Sequence, residues 1–498
     1  MSTERYVIGL DSSTQSAKAV VLDRKGCNVA EGRASIPLAQ PDEAHAEQNP
    51  EDWWSAVKNA LRDAVKTIDP GSIDGLAISN QRETVAFLDD KDTAVYPALV
   101  WLDCRANSTY QSYADRMGRE WLHRATGKPI DVIPVIYRLD WLRRNEPSVL
   151  ERATQILDVQ GFLVKKLTGR AVTSPASVDP FGLLDIHEMD YSTPILNSLG
   201  LSQEQLAPMA MSGREIGRVS PEAAKKTGLR AGTPIFAGGG DGQCSGLGAN
   251  VTGPGNLYLN LGTAQITGAH SQEPAIGLNW RTMTAVTGSG YHLEALMRAG
   301  AFFVDWLVET FIDESKSPEV YIRLEAEAEK ISHGCGGLTV TPHILGVMTP
   351  HWDPGARGAF AGLAPFHTRA HLYRASLEGM TAEIARSITA MRAENVPTDR
   401  IRAIGGGSKS ALWRQMIADA TQLPVDIGTT AEASALGAGI IAAVGAGWFV
   451  DFAEATAAMS HVEGTTEPEP EGADAWAALM ERQGHLYEDT KRYGAGRT

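Results

Sequence analysis

The sequence predicts an α/β protein built from two similar domains with a cleft between them. The chain has 498 residues, which is more than a single hydrophobic core usually accommodates. Apolar runs of strand length alternate with helical patterns, an order that is typical of α/β layers. An apolar run, a small-residue turn and a second apolar run also occur at 6–23 and return at 256–270, which indicates an internal duplication of the fold.

The first half of the chain predicts a hairpin, a helix and a further strand. The hairpin consists of YVIGLD and AKAVVLD, joined by a turn of small hydroxyl residues. In QNPEDWWSAVKNALRDAVKTI, Asn49 suits the N-cap, Pro50 suits the first helical position, and apolar residues recur at helical spacing. SIDGLAISN then predicts a strand that leads directly into QRETVAFLD.

The pattern restarts near residue 231. AGTPIFAGGGDGQCSGLGANV predicts a strand, a glycine-rich turn that carries an aspartate, and a helix of small residues. NLYLNLGTAQITGAH predicts the second hairpin, and DRIRAIGGGSKSALWRQMIADATQLPV predicts a strand, a glycine turn and a helix. ALGAGIIAAVGAGWFV is too short to span a bilayer comfortably and predicts a buried, closely packed helix. EGTTEPEPEGA at 463–473 predicts a solvated linker before a last helix.

Composition excludes several classes of partner. The formal net charge is -15, from 45 basic and 60 acidic residues, which argues against a nucleic-acid or membrane-surface partner. A phosphate ligand stays compatible with this charge, because backbone N–H groups can bind phosphate locally. The four cysteines lie far apart and form no CxxC motif, which predicts a reduced compartment and no structural zinc. The charged start enters a strand at once, so we expect no signal peptide and a cytoplasmic protein.

Both hairpin turns offer what a phosphate site needs, namely donors held close with little side-chain obstruction. One such hairpin alone is most often an ordinary polar turn, but two matched hairpins and a third glycine turn at 405–407 favour a phosphate clamp. The sequence contains no Walker A loop. No GxGxxG motif follows a strand either, which excludes a dinucleotide-dependent oxidoreductase. The candidate phosphate-binding residues of the two hairpins are Ser13, Thr14, Gln15, Lys18, Gly262 and Thr263.

Two aspartates are candidates for the chemistry. Asp11 ends the strand that faces the first hairpin, and a carboxylate beside phosphate is unfavourable unless a divalent cation lies between them. Asp11 is therefore a candidate magnesium ligand through water, with a turn-forming aspartate as the alternative. Asp241 follows three glycines that let the backbone reach a cleft floor. It can accept a hydroxyl proton during phosphoryl transfer or help to hold the metal, with a helix N-cap as the alternative.

Taken together, these motifs resemble the FGGY carbohydrate kinases of the actin-like ATPase superfamily. The resemblance rests on the DxxTxSxK start, the AGGGDG turn, the NLGT hairpin and IGGGSKSxLWRQMIAD, in that order, from about residue 5 to about residue 450. It implies two ribonuclease-H-like domains that close on ATP, Mg²⁺ and a sugar. It further implies sugar binding and the first phosphate hairpin in 1–250, adenosine binding in 251–455, and a linker with a C-terminal helix in 456–498.

The resemblance also implies residue roles. Asp241 would be the catalytic base, and Ser13 stands where the family usually has a glycine before the threonine. The nucleotide would be bound near the β- and γ-phosphates by Thr14, Gln15 and Lys18, near the γ-phosphate by Gly262 and Thr263, and around adenosine by Gly406, Gly407 and Ser410. A small sugar or polyol is the implied partner, and the sequence leaves a homodimer open.

Two segments point to different sugars. SNQRET places Gln81, Arg82 and Glu83 after a strand and looks like the polyol-binding segment of glycerol kinases, where xylulokinases commonly carry Met-His. VWLDCRAN places Asp103 in a WxDxR pattern that looks like xylulokinases, and Ile133 stands where glycerol kinases offer a tyrosine. We therefore expect an ATP-dependent kinase for a primary hydroxyl of a ketopentose such as xylulose. Glycerol or another polyol is the alternative, and an actin-like nucleotide switch without a sugar is the alternative from another class.

Overall fold

The computed structural model describes residues 4–313, 315, 317–430, 432–469 and 472–494. The strands are, in chain order, β1 (Tyr6–Ser12), β2 (Ser16–Leu22), β3 (Asn28–Ser35), β4 (Glu47–Gln48), β5 (Ile73–Asn80), β6 (Val85–Leu88), β7 (Ala94–Leu99), β8 (Gln155–Asp158), β9 (Leu184–Asp185), β10 (Asp190–Tyr191), β11 (Glu215–Arg218), β12 (Pro234–Gly240), β13 (Gly255–Leu261), β14 (Gln265–Ser271), β15 (Arg281–Thr284), β16 (Tyr291–Met297), β17 (Thr339–Thr341), β18 (Ala359–Ala361), β19 (Thr398–Ile404), β20 (Val425–Gly428) and β21 (Val462–Thr466).

The helices lie between these strands and after them. They are α1 (Pro50–Ala64), α2 (Tyr110–Met117), α3 (Arg119–Thr126), α4 (Val135–Asn145), α5 (Pro147–Arg152), α6 (Val159–Thr168), α7 (Pro175–Val178), α8 (Thr193–Leu199), α9 (Pro221–Thr227), α10 (Asp241–Gly248), α11 (Ala301–Leu307), α12 (Pro318–Ala328), α13 (Arg369–Ala393), α14 (Ala411–Thr421), α15 (Ala433–Gly445), α16 (Phe452–Met459) and α17 (Ala473–Thr490). Among the described residues, none of the helices combines the length and apolar character needed to cross a lipid bilayer.

Two large sheets repeat one topology. The first has the order β11-β12-β5-β1-β2-β3 and the second has the order β15-β16-β14-β13-β19-β20-β21. In the first, β1 pairs antiparallel with β2 and parallel with β5. In the second, β13 pairs antiparallel with β14 and parallel with β19. The two hairpins thus occupy equivalent places, which confirms the predicted duplication and the α/β fold.

Local sequence explains the first crossover helix. Asn49 caps α1 by accepting a hydrogen bond from the backbone N–H of Glu51, and Pro50 is the first helical residue. Buried Trp53, Val57 and Leu61 form one face of the helix and belong to the apolar core under the first sheet. The predicted helix and its N-cap are therefore confirmed.

The small-residue helix α15 joins the two halves of the molecule. It comes from the second half of the sequence but packs against α10 and against β1 and β5 of the first sheet. Glycines allow this approach: a Cβ at Gly437 would lie 2.0 Å from the carbonyl oxygen of Cys244, and one at Gly9 would lie 1.8 Å from that of Ala435. The predicted buried, closely packed helix is confirmed, and it contributes to the layer that covers the first sheet.

Two local predictions are wrong. Gly238, Gly239 and Gly240 continue β12 instead of forming a turn, and α10 begins directly at Asp241. These glycines are needed because neighbours crowd the strand, since a Cβ at Gly238 would lie 1.9 Å from the carbonyl oxygen of Ile78. The predicted linker begins inside β21, which pairs antiparallel with β20 at the edge of the second sheet. Within that linker, 470 and 471 lie outside the described residues.

Candidate active site

Asp241 lies at the junction of strand and helix, where β12 ends and α10 begins. Its side chain is 37% exposed, and it lines a cleft of about 190 Å³. One carboxylate oxygen, Oδ1, accepts the backbone N–H of Gly242 at 2.7 Å and lies 2.9 Å from Nε of Arg82. The carboxylate is thus open to the cleft on one side and fixed on the other.

A chain of paired charges extends from Asp241 across the cleft floor. Nη1 of Arg82 donates to Oε2 of Glu294 at 2.9 Å, and Nη2 of Arg281 donates to Oε1 of Glu294 at 2.6 Å. Nη1 of Arg281 also donates to Oε1 of Glu83 at 2.5 Å. The ion pairs thus run in the order Asp241, Arg82, Glu294, Arg281 and Glu83, and each charge lies beside one of opposite sign.

Burial and neighbouring charges shift the pKa values of the side chains in and beside these ion pairs. Burial raises the pKa of Glu294, but Arg82 and Arg281 outweigh it and leave that pKa well below its usual range. Burial lowers the pKa of Arg82, but Glu294 and Asp241 outweigh it, so the net shift is upward. His292 lacks such compensation, and burial lowers its pKa to about 4 despite the carboxylate of Glu294. Glu294, Arg82 and Arg281 are therefore charged at neutral pH, and His292 is neutral.

The cleft combines charged and apolar walls. Nη2 of Arg298 lies 3.5 Å from Oδ1 of Asp131, and Nε1 of Trp101 donates to Oγ1 of Thr14 at 2.9 Å. The bond from Trp101 connects the cleft to the first hairpin turn. The residues that line the cleft are Thr14, Arg82, Glu83, Trp101, Ile133, Asp241, Gly242, Ser245, Asn260, Ala264, Ile266, Arg281, Leu296, Arg298 and Ser434.

The structure separates the five predicted sugar-binding residues into two groups. Arg82, Glu83 and Asp241 line the cleft. Gln81 is buried and its Nε2 donates to Gln48. Asp103 is also buried, and it accepts bonds from the guanidinium of Arg105 and from the backbone N–H of Ala46. Neither Gln81 nor Asp103 is among the described residues that line the cleft. Their hydrogen bonds hold Gln48, Ala46 and Arg105 behind it.

The backbone at Glu83 is in an unusual conformation. Its φ is 47°, in the left-handed region that non-glycine residues rarely adopt. Strained backbone of this kind tends to persist where the surroundings over-determine it, often at functional sites. Here the ion pair with Arg281 holds the side chain, which is only 5% exposed. The turn after β5 therefore presents Glu83 to the cleft in one orientation.

The first hairpin turn is closed by serine. The backbone N–H and the hydroxyl of Ser13 both donate to the carbonyl oxygen of Ser16, at 3.0 and 2.9 Å. Ser13 is absent from the positive-φ residues of the described chain, so the turn does not demand the family's glycine at this position. Lys18 lies 2.9 Å from Glu432 and 3.2 Å from Glu31, so its cationic head is held by two carboxylates close to the hairpin turn.

Asp11 fits the role of a metal ligand. Burial raises its pKa to about 7, opposed by the hydroxyl of Ser79 and reinforced by the carboxylates of Asp241 and Glu432. A cation placed between Asp11 and Asp241 would relieve this mutual repulsion. No cluster of three or more His, Cys, Asp or Glu side chains suited to a metal occurs within the described ranges. Mg²⁺ commonly uses only one or two carboxylates, with phosphates and waters completing the shell.

Five of the nine predicted nucleotide-binding residues meet in a second cavity of about 650 Å³, and the four from the first hairpin are not among the described residues that line it. Gly262 and Thr263 come from the second hairpin turn, and Gly406, Gly407 and Ser410 come from the turn between β19 and α14. Ser410 also caps α14 by accepting the N–H of Trp413 at 3.0 Å. Apolar and aromatic side chains complete the cavity, namely Phe302, Val304, Tyr321, Ile322, Tyr373, Leu377 and Trp413. Such walls suit a flat aromatic base beside a phosphate-binding turn.

Sequence reasoning missed three charged residues, of which Arg281 and Arg298 line the cleft and Glu294 pairs with Arg281 and Arg82 behind it. Arg281, Glu294 and Arg298 lie on β15, on β16 and directly after it, and no motif marks them. One signal was available, since a glutamate within the apolar run YHLEALM and an arginine beginning RTMT are unusual in buried strands. Charged residues in such positions are rarely buried unless they are paired.

Comparison with known proteins gives consistent matches over most of the chain. Models of the FGGY family of carbohydrate kinases match with the N-terminal domain at 6–248 and the C-terminal domain at 257–446. A xylulose kinase from Bacillus subtilis (strain 168) is 27% identical over 491 residues, covering 98% of this chain and 97% of the relative. A gluconokinase from the same organism is 26% identical over 446 residues, covering 88% and 86%.

Solved structures match equally widely. The crystal structure of a xylulose kinase from Rhodospirillum rubrum has a TM-score of 0.91 at 25% identity, covering 99% of this chain and 100% of that chain. The crystal structure of a gluconate kinase from Lactobacillus acidophilus has a TM-score of 0.93 at 25% identity, covering 100% of both chains. The predicted two-domain architecture is thus shared along the whole length.

Proposed function

Because the chain belongs to the FGGY family of carbohydrate kinases and is an ATP-dependent sugar kinase, we propose that its acceptor is a primary hydroxyl of a ketopentose such as xylulose. The observation that carries the proposal is the position of Asp241. Its carboxylate lies on the sugar cleft and acts electrostatically on Asp11 at the first phosphate hairpin. This position supports a role for Asp241 between the acceptor in the cleft and the donor at the hairpin.

Asp241 is the general base in this proposal. Arg82 and Gly242 both engage Oδ1, so we assign proton acceptance to Oδ2. As the proton moves to Oδ2, the sugar oxygen bonds to the γ-phosphorus, and the bond to the bridging oxygen breaks so that its electrons leave with ADP. Hairpin backbone and hydroxyl donors stabilise the charge on the transferring group. Asp11 and Asp241 would hold a magnesium ion, which when bound neutralises phosphate charge.

Charge pairing in the cleft favours a neutral sugar over an aldonate. Every arginine among the described residues that line the cleft already has a carboxylate partner: Arg82 has Asp241 and Glu294, Arg281 has Glu83 and Glu294, and Arg298 has Asp131. A substrate carboxylate would meet no spare cation there, and an unpaired buried charge is costly. Hydroxyl groups can instead donate to the carboxylates and accept from the guanidinium groups.

The apolar wall favours a pentulose over glycerol. Ile133, Ile266 and Leu296 line the cleft, so the position where glycerol kinases offer a tyrosine has no hydroxyl. Tyr137, one turn further along, is buried and packs edge-on against Tyr110 and Tyr113 at 5.8 and 5.9 Å between ring centroids. With isoleucine at position 133, a small polyol has one hydrogen-bonding partner fewer in the cleft. A ketopentose can place carbon atoms against this wall.

A coupled assay of ADP formation tests the proposal. The panel contains xylulose and other pentuloses, pentitols, tetritols, glycerol and gluconate, and substrates are ranked by kcat/KM. We expect a pentulose to rank first and gluconate to give little turnover. Comparable rates on all substrates, or gluconate in first place, would overturn the assignment of the cleft. ATP binding without stimulation by any sugar would favour a nucleotide switch.

We also propose that the protein is cytoplasmic and that any stable assembly is a homodimer. The described cysteines are free and do not form disulfides, which agrees with a reducing compartment. Cell fractionation and the molar mass in solution test these two points.

A further inference from the structure

Glu294 connects two carboxylates that line the cleft, Asp241 and Glu83, through one arginine each. Its oxygens serve different partners: Oε2 accepts from Arg82 and Oε1 accepts from Arg281. Arg82 in turn pairs with Asp241, and Arg281 pairs with Glu83. One glutamate therefore lies at the centre of a symmetrical arrangement in which each arm ends in a carboxylate of the cleft.

The arrangement crosses the boundary between the two halves of the protein. Arg82 and Glu83 follow β5 of the first sheet, whereas Arg281 and Glu294 lie on β15 and β16 of the second sheet. The family models divide at the same place, with the first pair inside 6–248 and the second pair inside 257–446. The ion pairs thus fix the position of residues from one half relative to residues from the other.

Burial makes this connection rigid. The side chain of Glu294 is 0% exposed and those of Arg82 and Arg281 are 6% and 7% exposed. Charge-assisted bonds to guanidinium groups are short and directional, and they gain strength where water is excluded. Tyr258 adds a further hydrogen bond to Oε2 at 3.1 Å. The carboxylate is therefore held at both oxygens with little freedom to rotate.

We propose that Glu294 is a positioning residue that sets Asp241 and Glu83 relative to each other, and thereby aligns the sugar hydroxyl with the phosphate donor. The inference rests on the proposed function and deepens it. Glu294 is not one of the described residues that line the cleft, so it acts through Arg82 and Arg281. Without its charge, each arginine keeps only its own carboxylate, and the two arms are free to move independently.

The test measures kcat and KM for the sugar and for ATP in the Glu294→Gln variant. Small misplacements of reacting groups cost one to two orders of magnitude in rate, so we expect kcat/KM for the sugar to fall by about tenfold to a hundredfold. The KM for ATP should stay within about twofold, because the nucleotide cavity shares no residue with these ion pairs. Glu294→Asp keeps the charge on a shorter arm and should lie between wild type and Glu294→Gln.

Asp426 supplies a matched control. Its carboxylate is also buried and shared by two arginines, at 2.7 Å to Nη1 of Arg400 and 2.8 Å to Nη1 of Arg402. These residues lie on β19 and β20 of the second sheet and not on the cleft. Asp426→Asn should leave the sugar KM and kcat unchanged, although it removes an equivalent pair of bonds.

A double variant separates positioning from general damage to the fold. If Glu294 acts through Arg82, the loss in the double variant Arg82→Gln with Glu294→Gln should be much smaller than the product of the two single losses. Multiplicative losses would overturn the inference, as would Glu294→Gln with wild-type kinetics. If Glu294→Gln does not fold, the Glu294→Asp variant carries the same comparison. Wild-type protein that phosphorylates no sugar would overturn the proposed function and this inference together.

Discussion

Nε of Arg82 lies 2.9 Å from Oδ1 of Asp241, the residue to which we assign the catalytic base. Arg82 follows the central strand β5, and Asp241 begins α10 after the neighbouring strand β12. Because β5 and β12 are parallel neighbours, their carboxyl ends meet at one edge of the sheet. Ligands in α/β sheets bind at such edges. The pair therefore forms from the topology of the sheet, before any sugar enters.

The Glu83→Gln variant should bind the sugar poorly. The change removes the charge that pairs with Nη1 of Arg281 at 2.5 Å and weakens acceptance of sugar hydroxyls. Losing a hydrogen bond to a charged group costs about 2 kcal/mol, so we expect a sugar KM raised by roughly thirtyfold. Steady-state kinetics measure the sugar KM, and a binding assay for ATP, whose affinity should be unchanged, is the control. A raised ATP KM with a normal sugar KM would contradict the assignment.

The Trp101→Phe variant tests the link between the cleft and the phosphate hairpin. It removes the bond from Nε1 to Oγ1 of Thr14 while keeping an aromatic wall. A neutral hydrogen bond is worth about 1 kcal/mol, so we expect kcat/KM to fall by about fivefold. Trp448→Phe is the matched control, because Nε1 of Trp448 donates to Asp74 at 2.9 Å outside the cleft. Equal losses in the two variants would argue against the link.

The stability of the protein should depend on pH through His292. Its pKa is lowered to about 4 in the folded protein and is about 6.5 in an unfolded chain. Between these values the unfolded chain binds more protons, so the free energy of unfolding decreases as the pH falls from about 6.5 towards 4. His292 alone should account for about 2 kcal/mol between pH 7 and pH 4.5. Denaturant unfolding of wild type and His292→Gln measures this contribution, and parallel pH profiles would refute it.

The Gly437→Ala variant should be strongly destabilised. Its Cβ would lie 2.0 Å from the carbonyl oxygen of Cys244, so α15 must move away from α10. Overpacking of this kind costs about 3 kcal/mol, measured as the free energy of unfolding. Gly253→Ala is the control, because a Cβ there has no heavy atom within 4 Å. If both variants were equally stable, the close packing of α10 against α15 would not support the fold as described.

Secondary-structure elements that depend on local sequence could be predicted, whereas features that depend on tertiary contacts could not. Asn49 and Pro50 mark the start of the first helix, and short polar turns mark both hairpins, so these elements could be predicted. From sequence, Gly238 and Gly240 predicted a turn. Glycine is needed at these positions because Ile78 and Arg82 pack closely against them, and these neighbours lie far away in sequence.

The candidate site divides in the same way. Arg82, Glu83 and Asp241 follow strands, and a residue after a strand can be assigned to a cleft from sequence. Glu294 and Arg281 lie inside strands and acquire a role only through residues some 200 positions away. The WxDxR pattern looked like a sugar contact, but Asp103 and Arg105 satisfy each other inside the protein.

The most direct test of the account is ADP formation by wild type and Asp241→Asn, with and without a pentulose. General-base catalysis contributes about a hundredfold or more, and the amide cannot accept the proton. The account predicts sugar-stimulated turnover in wild type, loss of at least about a hundredfold in the variant, and unchanged ATP binding. Near-normal sugar-dependent turnover by Asp241→Asn would contradict it.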